Sequence, residues 1–233
     1  MKPALAVVLL VLPLLAGCAA PSGGSGALQA GAITPDLWHL NGATDHLLVW
    51  VHNVGKESAD YAWSLTGAGG APLPEGLAVS FAAPSGTLAA AGSKTGRTFN
   101  DWAYTVVTAT LNASLAPGPY PLELHAGSAV AALAATVEAE RVRVSKPGDN
   151  VNVHYAGSFQ ATGEEFDSGE FPTKLGSGQT VPGFDLGLLG LAVGEKAHLV
   201  LPAPLGYGNG NTGSYARFND QTLIFDVELL QFR

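Results

Sequence analysis

Cysteine is almost missing from this 233-residue chain, which carries only Cys18. A single cysteine cannot close an intramolecular disulfide, so stability has to come from packing. Charge is scarce as well: 13% of residues are charged, with 11 basic against 19 acidic side chains and a net charge of −8. No run of Lys or Arg occurs, which excludes a phosphate-tracking surface and so a nucleic-acid partner. Long stretches free of Gly and Pro are rare, because there are 30 Gly and 15 Pro. A helical bundle and a coiled coil are thereby excluded. Against these absences stand 47% hydrophobic residues and four Trp, more than a disordered chain would carry.

The N-terminus reads as an address. Lys2 precedes the apolar run Ala4–Leu15, the length of a secretory signal and short of the ~20 residues a spanning helix needs. It ends in Leu15-Ala16-Gly17-Cys18, which resembles a prokaryotic lipobox. The expectation is a lipoprotein signal peptide over 1–18, lipidation of Cys18, and a flexible linker over 19–29 rich in Gly and Ser. Such a chain would be extracytoplasmic and anchored to the cell membrane, or to an outer membrane or periplasmic face, depending on the envelope.

Residues 30–138 alternate with the period of two that marks half-buried strands. The sets are Leu47, Val49, Val51; then Tyr61, Trp63, Leu65; Leu77, Val79, Phe81; Tyr104, Val106, Thr108; and Tyr120, Leu122, Leu124. The alanine-rich Ala126–Ala139 suits a helix or a final strand, and the context favours a strand. Gly- and Pro-rich turns between the sets predict an antiparallel sandwich. The phrases Val51-His52-Asn53-Val54-Gly55 and Ala116-Pro117-Gly118-Pro119-Tyr120 resemble the immunoglobulin-like modules of prokaryotic surface proteins. Trp38, Trp50, Trp63 and Trp102 read as core residues, Trp50 and Trp63 by their alternation; an aromatic sugar platform is the other reading.

From Val142 the texture changes. Val142 and Val144 alternate, and Lys146-Pro147-Gly148-Asp149 turns into Val151-Asn152-Val153-His154-Tyr155. Tyr155 falls on the apolar face, where its hydroxyl needs a partner. Asp167, among Phe166, Phe171 and Tyr155, is that partner, since an acid wedged between rings must be hydrogen-bonded. A short helix-like run covers Asp185–Leu191. Val153-His154-Tyr155-Ala156-Gly157, Phe166-Asp167-Ser168, Gln179–Phe184, Leu189-Gly190-Leu191, Val193-Gly194-Glu195, Gly206-Tyr207-Gly208 and Leu223–Leu230, in this order, resemble the FKBP family of peptidyl-prolyl cis-trans isomerases. The likeness covers residues 139–233.

The resemblance implies an α+β domain in which a twisted antiparallel sheet wraps one short helix, so the whole chain is expected to be mainly β. It implies a pocket walled by Tyr155, Phe166, Asp167 and Phe171, floored by Val181 and Phe184, and closed by Phe225. Tyr155, Asp167 and Tyr207 would be the catalytic polar groups, with the Val181 amide holding a substrate carbonyl. No cofactor or metal is implied. The partners would be Pro-containing unfolded or exported polypeptides, bulky apolar residues before Pro being preferred, with a macrolide as a further ligand. The loop Asn209–Gln221 departs from the family, being polar where an apolar Ile-Pro-Pro phrase is usual; Tyr215 or Phe218 could serve as its lid. Two other readings stay open: a non-catalytic module that binds Pro-containing segments, and an adhesion or carbohydrate-binding lipoprotein whose sandwich is the working part.

Overall fold

The computed structural model describes residues 28–33, 38–40, 44–95, 98–112, 115–139 and 142–233. Cys18, the signal peptide and most of the linker lie outside the described residues. The N-terminal part holds strands β1 (Leu28–Ala32), β2 (Trp38–Leu40), β3 (Thr44–Asn53), β4 (Ala59–Gly67), β5 (Leu77–Phe81), β6 (Ser85–Leu88), β7 (Lys94–Thr95), β8 (Thr98–Phe99), β9 (Trp102–Leu111), β10 (Gly118–Ala126) and β11 (Ala129–Val137). β1 begins two residues inside the expected linker. Ala126–Ala139 resolves as a strand, because β11 pairs along its whole length with β10.

Two larger sheets form here, in the orders β1-β3-β9-β5 and β2-β11-β10-β4-β6, and β7 pairs with β8 as a separate two-stranded hairpin. All named pairings are antiparallel except β2 with β11, which is parallel. Alternation aims one face of each sheet at a shared core of Leu47, Val49 and Val51 against Tyr61, Trp63, Leu65, Leu122 and Leu124. Trp38 and Trp63 belong to this core, which removes them from any sugar platform. Trp50 does not belong to it. It is half-buried on the opposite face of β3, with Trp102 at 5.1 Å and His52 stacked on Trp102 at 4.2 Å.

That opposite face is covered by the C-terminal part. Ile33 and Leu48 are fully buried in the second hydrophobic core, with Trp50 and Val106 packed against it. Complete burial of two such side chains contributes about 1.5–3 kcal/mol each. The Val200 amide donates to the Ile33 carbonyl at 3.4 Å, a backbone link across the junction. Gly190, at φ +85°, lets the backbone pass the His46 carbonyl, where a Cβ would lie 2.8 Å away.

His46 sits in this junction with Nδ1 buried and unpartnered among the described residues. Burial, then the Lys146 charge, hold its imidazole below the ordinary value of 6.5. A depressed histidine stays neutral when folded, while the unfolded chain takes up the proton below that value. The contribution is therefore present above pH 6.5 and lost as pH falls. The Tm loss from about pH 7 to about pH 5 should accordingly be smaller in His46→Leu than in the wild type, as scanning calorimetry would read.

The C-terminal part is a four-stranded antiparallel sheet, β13-β12-β15-β14, built from β12 (Asn150–Phe159), β13 (Glu165–Lys174), β14 (Lys196–Leu201) and β15 (Leu223–Phe232). Val142 and Val144 form no strand; Val144 makes a single bridge to Ala192, and Val142 is exposed. The one α-helix of the described residues, α1, spans Pro182–Gly187, earlier than the run expected at Asp185–Leu191. Proline at its first position starts it, since the missing N–H is unused there and φ is already helical. Gly183 makes the helix–sheet approach, as a Cβ would lie 2.5 Å from Leu201 Cγ.

Candidate active site

Register brings the aromatic rings together. Tyr155 pairs with Val227 and Gly169, and Gly157 with Phe225 and Asp167. Gly157 has to be glycine, because a Cβ would meet the Phe166 ring at 2.7 Å and Phe225 at 2.9 Å. Val153 opposite Phe171 places that ring diagonally from Tyr155, edge-on at 6.5 Å. From the other side α1 presents Phe184, 5.9 Å from Tyr155, 6.5 Å from Phe171 and 5.1 Å from Phe225. Phe166 lies 5.6 Å from Phe225, edge to face. Phe184 and Phe225 are 4% and 5% exposed, while Tyr155, Phe166, Phe171, Val181 and Tyr207 are half-buried. A dry floor thus carries walls whose faces remain open.

The polar groups stand at the rim. Tyr155 donates its hydroxyl to Asp167 Oδ2 at 2.8 Å. Asp167 itself is exposed, not wedged between rings, so water shares its solvation. Burial first, and then the bond and charge of Asp167, push the Tyr155 phenol up to about 12. Tyr207 is raised too, by burial and then by Tyr215 and Asp167. Both phenols therefore remain protonated donors at neutral pH. The stability that Tyr155 contributes is full below its unfolded value near 10 and is lost as pH rises through about 12. Among the described residues nothing takes a hydrogen bond from the Val181 amide, while the Val181 carbonyl accepts from the Phe184 and Asp185 amides, both at 3.0 Å.

One contributor escapes a reading of the sequence. Asp185 follows Phe184 on α1 and is 3% exposed; its two oxygens accept the Gly176 and Gly178 amides, each at 2.9 Å. It pins the loop that leads into Val181. An acid in the first turn of a helix, just after a Gly-Ser-Gly loop, was the available signal. Phe218 is buried and packs tilted against Tyr207 at 4.4 Å and Phe159 at 5.4 Å, and edge to face against Phe166 at 5.0 Å. Of the two expected lids, Phe218 underpins Tyr207, whereas Tyr215 stays exposed 5.8 Å from it. The polarity of the loop is used internally. The Asn211 amide and Nδ2 donate to Asn219 Oδ1, Asn219 Nδ2 donates to the Asn211 carbonyl, and Asn211 Nδ2 also donates to the Tyr207 carbonyl at 2.9 Å.

A ring-lined cup with neutral phenol donors and a free amide suits an apolar side chain attached to a polar backbone, held without covalent chemistry. Comparison with known proteins agrees. A family model described as FKBP-type peptidyl-prolyl cis-trans isomerase matches residues 142–230. The chain is 44% identical over 99 residues to FK506-binding protein 2B of Rhizopus delemar, covering 40% of this chain and 47% of that protein. It is 40% identical over 100 residues to FK506-binding protein 2 of Aspergillus oryzae, covering 41% of this chain and 73% of that protein.

The chain belongs to the FKBP-type peptidyl-prolyl cis-trans isomerase family.

A mouse peptidyl-prolyl cis-trans isomerase of this family is 43% identical over 93 residues, 37% of this chain and 64% of the mouse protein. The chain spans about half of the Rhizopus protein and less than two thirds of the mouse one. The FKBP-type match leaves the two layered sheets before residue 142 outside it.

Proposed function

We propose that this chain catalyses cis–trans isomerisation of X–Pro peptide bonds in unfolded or exported polypeptides. Rotation about such a bond faces a barrier of ~18–20 kcal/mol because resonance stiffens the C–N bond, and uncatalysed it takes tens to hundreds of seconds. The twisted transition state has lost that resonance and is less dipolar than the planar amide. A cup floored by Phe184 and Phe225 disfavours the planar dipole more than the twisted form, which is differential stabilisation of the transition state. The Val181 amide would hold a carbonyl of the peptide and the Tyr207 hydroxyl a second oxygen, while Asp167, fixed by Tyr155, marks the mouth. Aromatic walls favour bulky apolar residues before Pro, and the same cup would take a macrolide.

The observation that carries this reading is the convergence of Tyr155, Asp167, Val181, Phe184, Tyr207 and Phe225 on one cup. A protease-coupled assay on Leu-Pro and Phe-Pro peptides tests it. Wild type should accelerate turnover, and Tyr207→Phe and Asp167→Ala should each lower kcat/KM by about tenfold, the worth of one well-placed hydrogen bond. Background rates with folded wild type would sink it.

The N-terminal sandwich is proposed to be immunoglobulin-like. What supports this is the strand order: β1-β3-β9-β5 follows the A-B-E-D pattern, and β2-β11-β10-β4-β6 holds the G-F-C order in β11-β10-β4 with one added strand at each edge, β2 and β6. We further propose that Cys18 carries the lipid and that the protein works extracytoplasmically at a membrane, which the Leu15–Cys18 phrase supports. Mass spectrometry of the mature N-terminus would decide it, an unmodified Cys18 counting against the anchor.

A further inference from the structure

Among the described residues a single ion pair joins the N-terminal part to the loop that carries Phe218. Lys94 Nζ, on β7, lies 2.8 Å from Asp220 Oδ1, 126 residues later. Lys94 is aimed there by its own hairpin: it sits over the Phe99 ring at 4.4 Å, and Asn100 braces the strand through Thr95 Oγ1 and the Ser93 carbonyl, both at 2.8 Å. Ile33 and Leu48 of the N-terminal part are buried in the C-terminal core, and the segments flanking the hairpin are tied to that part by the Ala89 amide, which donates to the Asn100 carbonyl at 3.0 Å, and the Ala91 amide, which donates to the Gly55 carbonyl at 2.8 Å. On the other side, Asp220 has φ +56°, a left-handed backbone that Asp tolerates better than most residues. Its amide donates to the Gly208 carbonyl at 2.9 Å, closing the loop directly after Tyr207. Two residues before Asp220 stands Phe218, the ring beneath Tyr207.

We propose that Lys94 is a positioning residue of the cup: by holding Asp220 it keeps Phe218 under Tyr207, so the N-terminal domain sets the substrate affinity of the isomerase. This rests on the isomerase reading of the same cup. The side chains of Lys94 and Asp220 are 30% and 57% exposed, so the pair adds little to global stability. Loops, however, open locally at low free energy, and a weak contact suffices to shift their population.

The test uses the full chain with Lys94→Gln, Lys94→Arg, Asp220→Asn and the Lys94→Gln/Asp220→Asn double variant. Asparagine keeps the left-handed backbone available. Lys94→Gln and Asp220→Asn should each raise KM for a Leu-Pro peptide about threefold with kcat little changed, and the double variant should do no worse than either single. Lys94→Arg should retain wild-type KM. Hydrogen exchange of the 209–221 amides should quicken in the neutral variants, and in wild type as salt rises to about 1 M. Additive effects, or KM and loop exchange unchanged on loss of the charge, would overturn the proposal. Were wild type inactive, the isomerase reading would fall. Loop exchange would then judge the tether by itself: faster exchange in Lys94→Gln would support it and equal exchange refute it.

Discussion

Phe184→Ala is expected to remove almost all isomerase activity and to cost about 3–5 kcal/mol of stability, the usual toll for truncating a buried aromatic ring. Phe184 touches Tyr155, Phe171 and Phe225 at once, and it alone among the cup rings comes from the helix. Without it the floor becomes a hole that water can enter, and the walls lose the surface that sets their tilt. A misplacement of about 1 Å in such a site can cost on the order of 100-fold in rate, which is the expected fall in kcat/KM. Tm should drop by roughly 10 °C at 2–4 °C per kcal/mol for a chain of this size. Because part of the loss could come from unfolding, Phe184→Leu serves as companion. It should restore most of the Tm yet leave kcat/KM well below wild type, since leucine fills volume without rebuilding the ring faces. Full activity in Phe184→Leu would show that the floor need only be apolar.

Asp185→Asn is expected to have the second largest effect. The wild-type carboxylate takes one amide on each oxygen, and in asparagine one of those oxygens becomes a donor facing a donor. A hydrogen bond to a charged group contributes about 1.5–3 kcal/mol, and a buried amide left without an acceptor costs its desolvation as well. Tm should fall by roughly 5 °C. The loop it pins, Gly176 to Gly178, leads into Val181, so the free amide of Val181 loses its fixed direction and kcat/KM should drop by about tenfold. Faster exchange of the Gly176 and Gly178 amides would locate the damage. Exchange and kcat/KM both at wild-type values would refute the positioning role.

How much of this could be read beforehand follows from where the signals are local. Strands such as Ala59–Gly67 announce themselves, because one face meets a core and the other meets water. The Tyr155–Asp167 bond was readable for a related reason: a phenol on an apolar face demands an acceptor, and the next acid among aromatics supplies one. Asp167 at the surface was not readable, since exposure depends on how β13 curls past the cup and not on its neighbours in sequence. Trp50 shows the same limit from the other direction. Its alternation marked it as buried, but periodicity cannot say which of two cores a face meets, and here both faces of β3 meet one. The short strands β6, β7 and β8 carry too few residues for a period to appear. The helix starts earlier than its apolar spacing predicts, because a six-residue element is set more by the proline that starts it.

The most direct measurement is exchange NMR on a Leu-Pro peptide with the full chain at a small fraction of the peptide concentration. Catalysis requires cis–trans exchange cross-peaks that are absent from the peptide alone, growing with protein and suppressed in Tyr207→Phe. Peptide shifts that report binding without any exchange would contradict catalysis and leave a module that merely holds proline-containing segments.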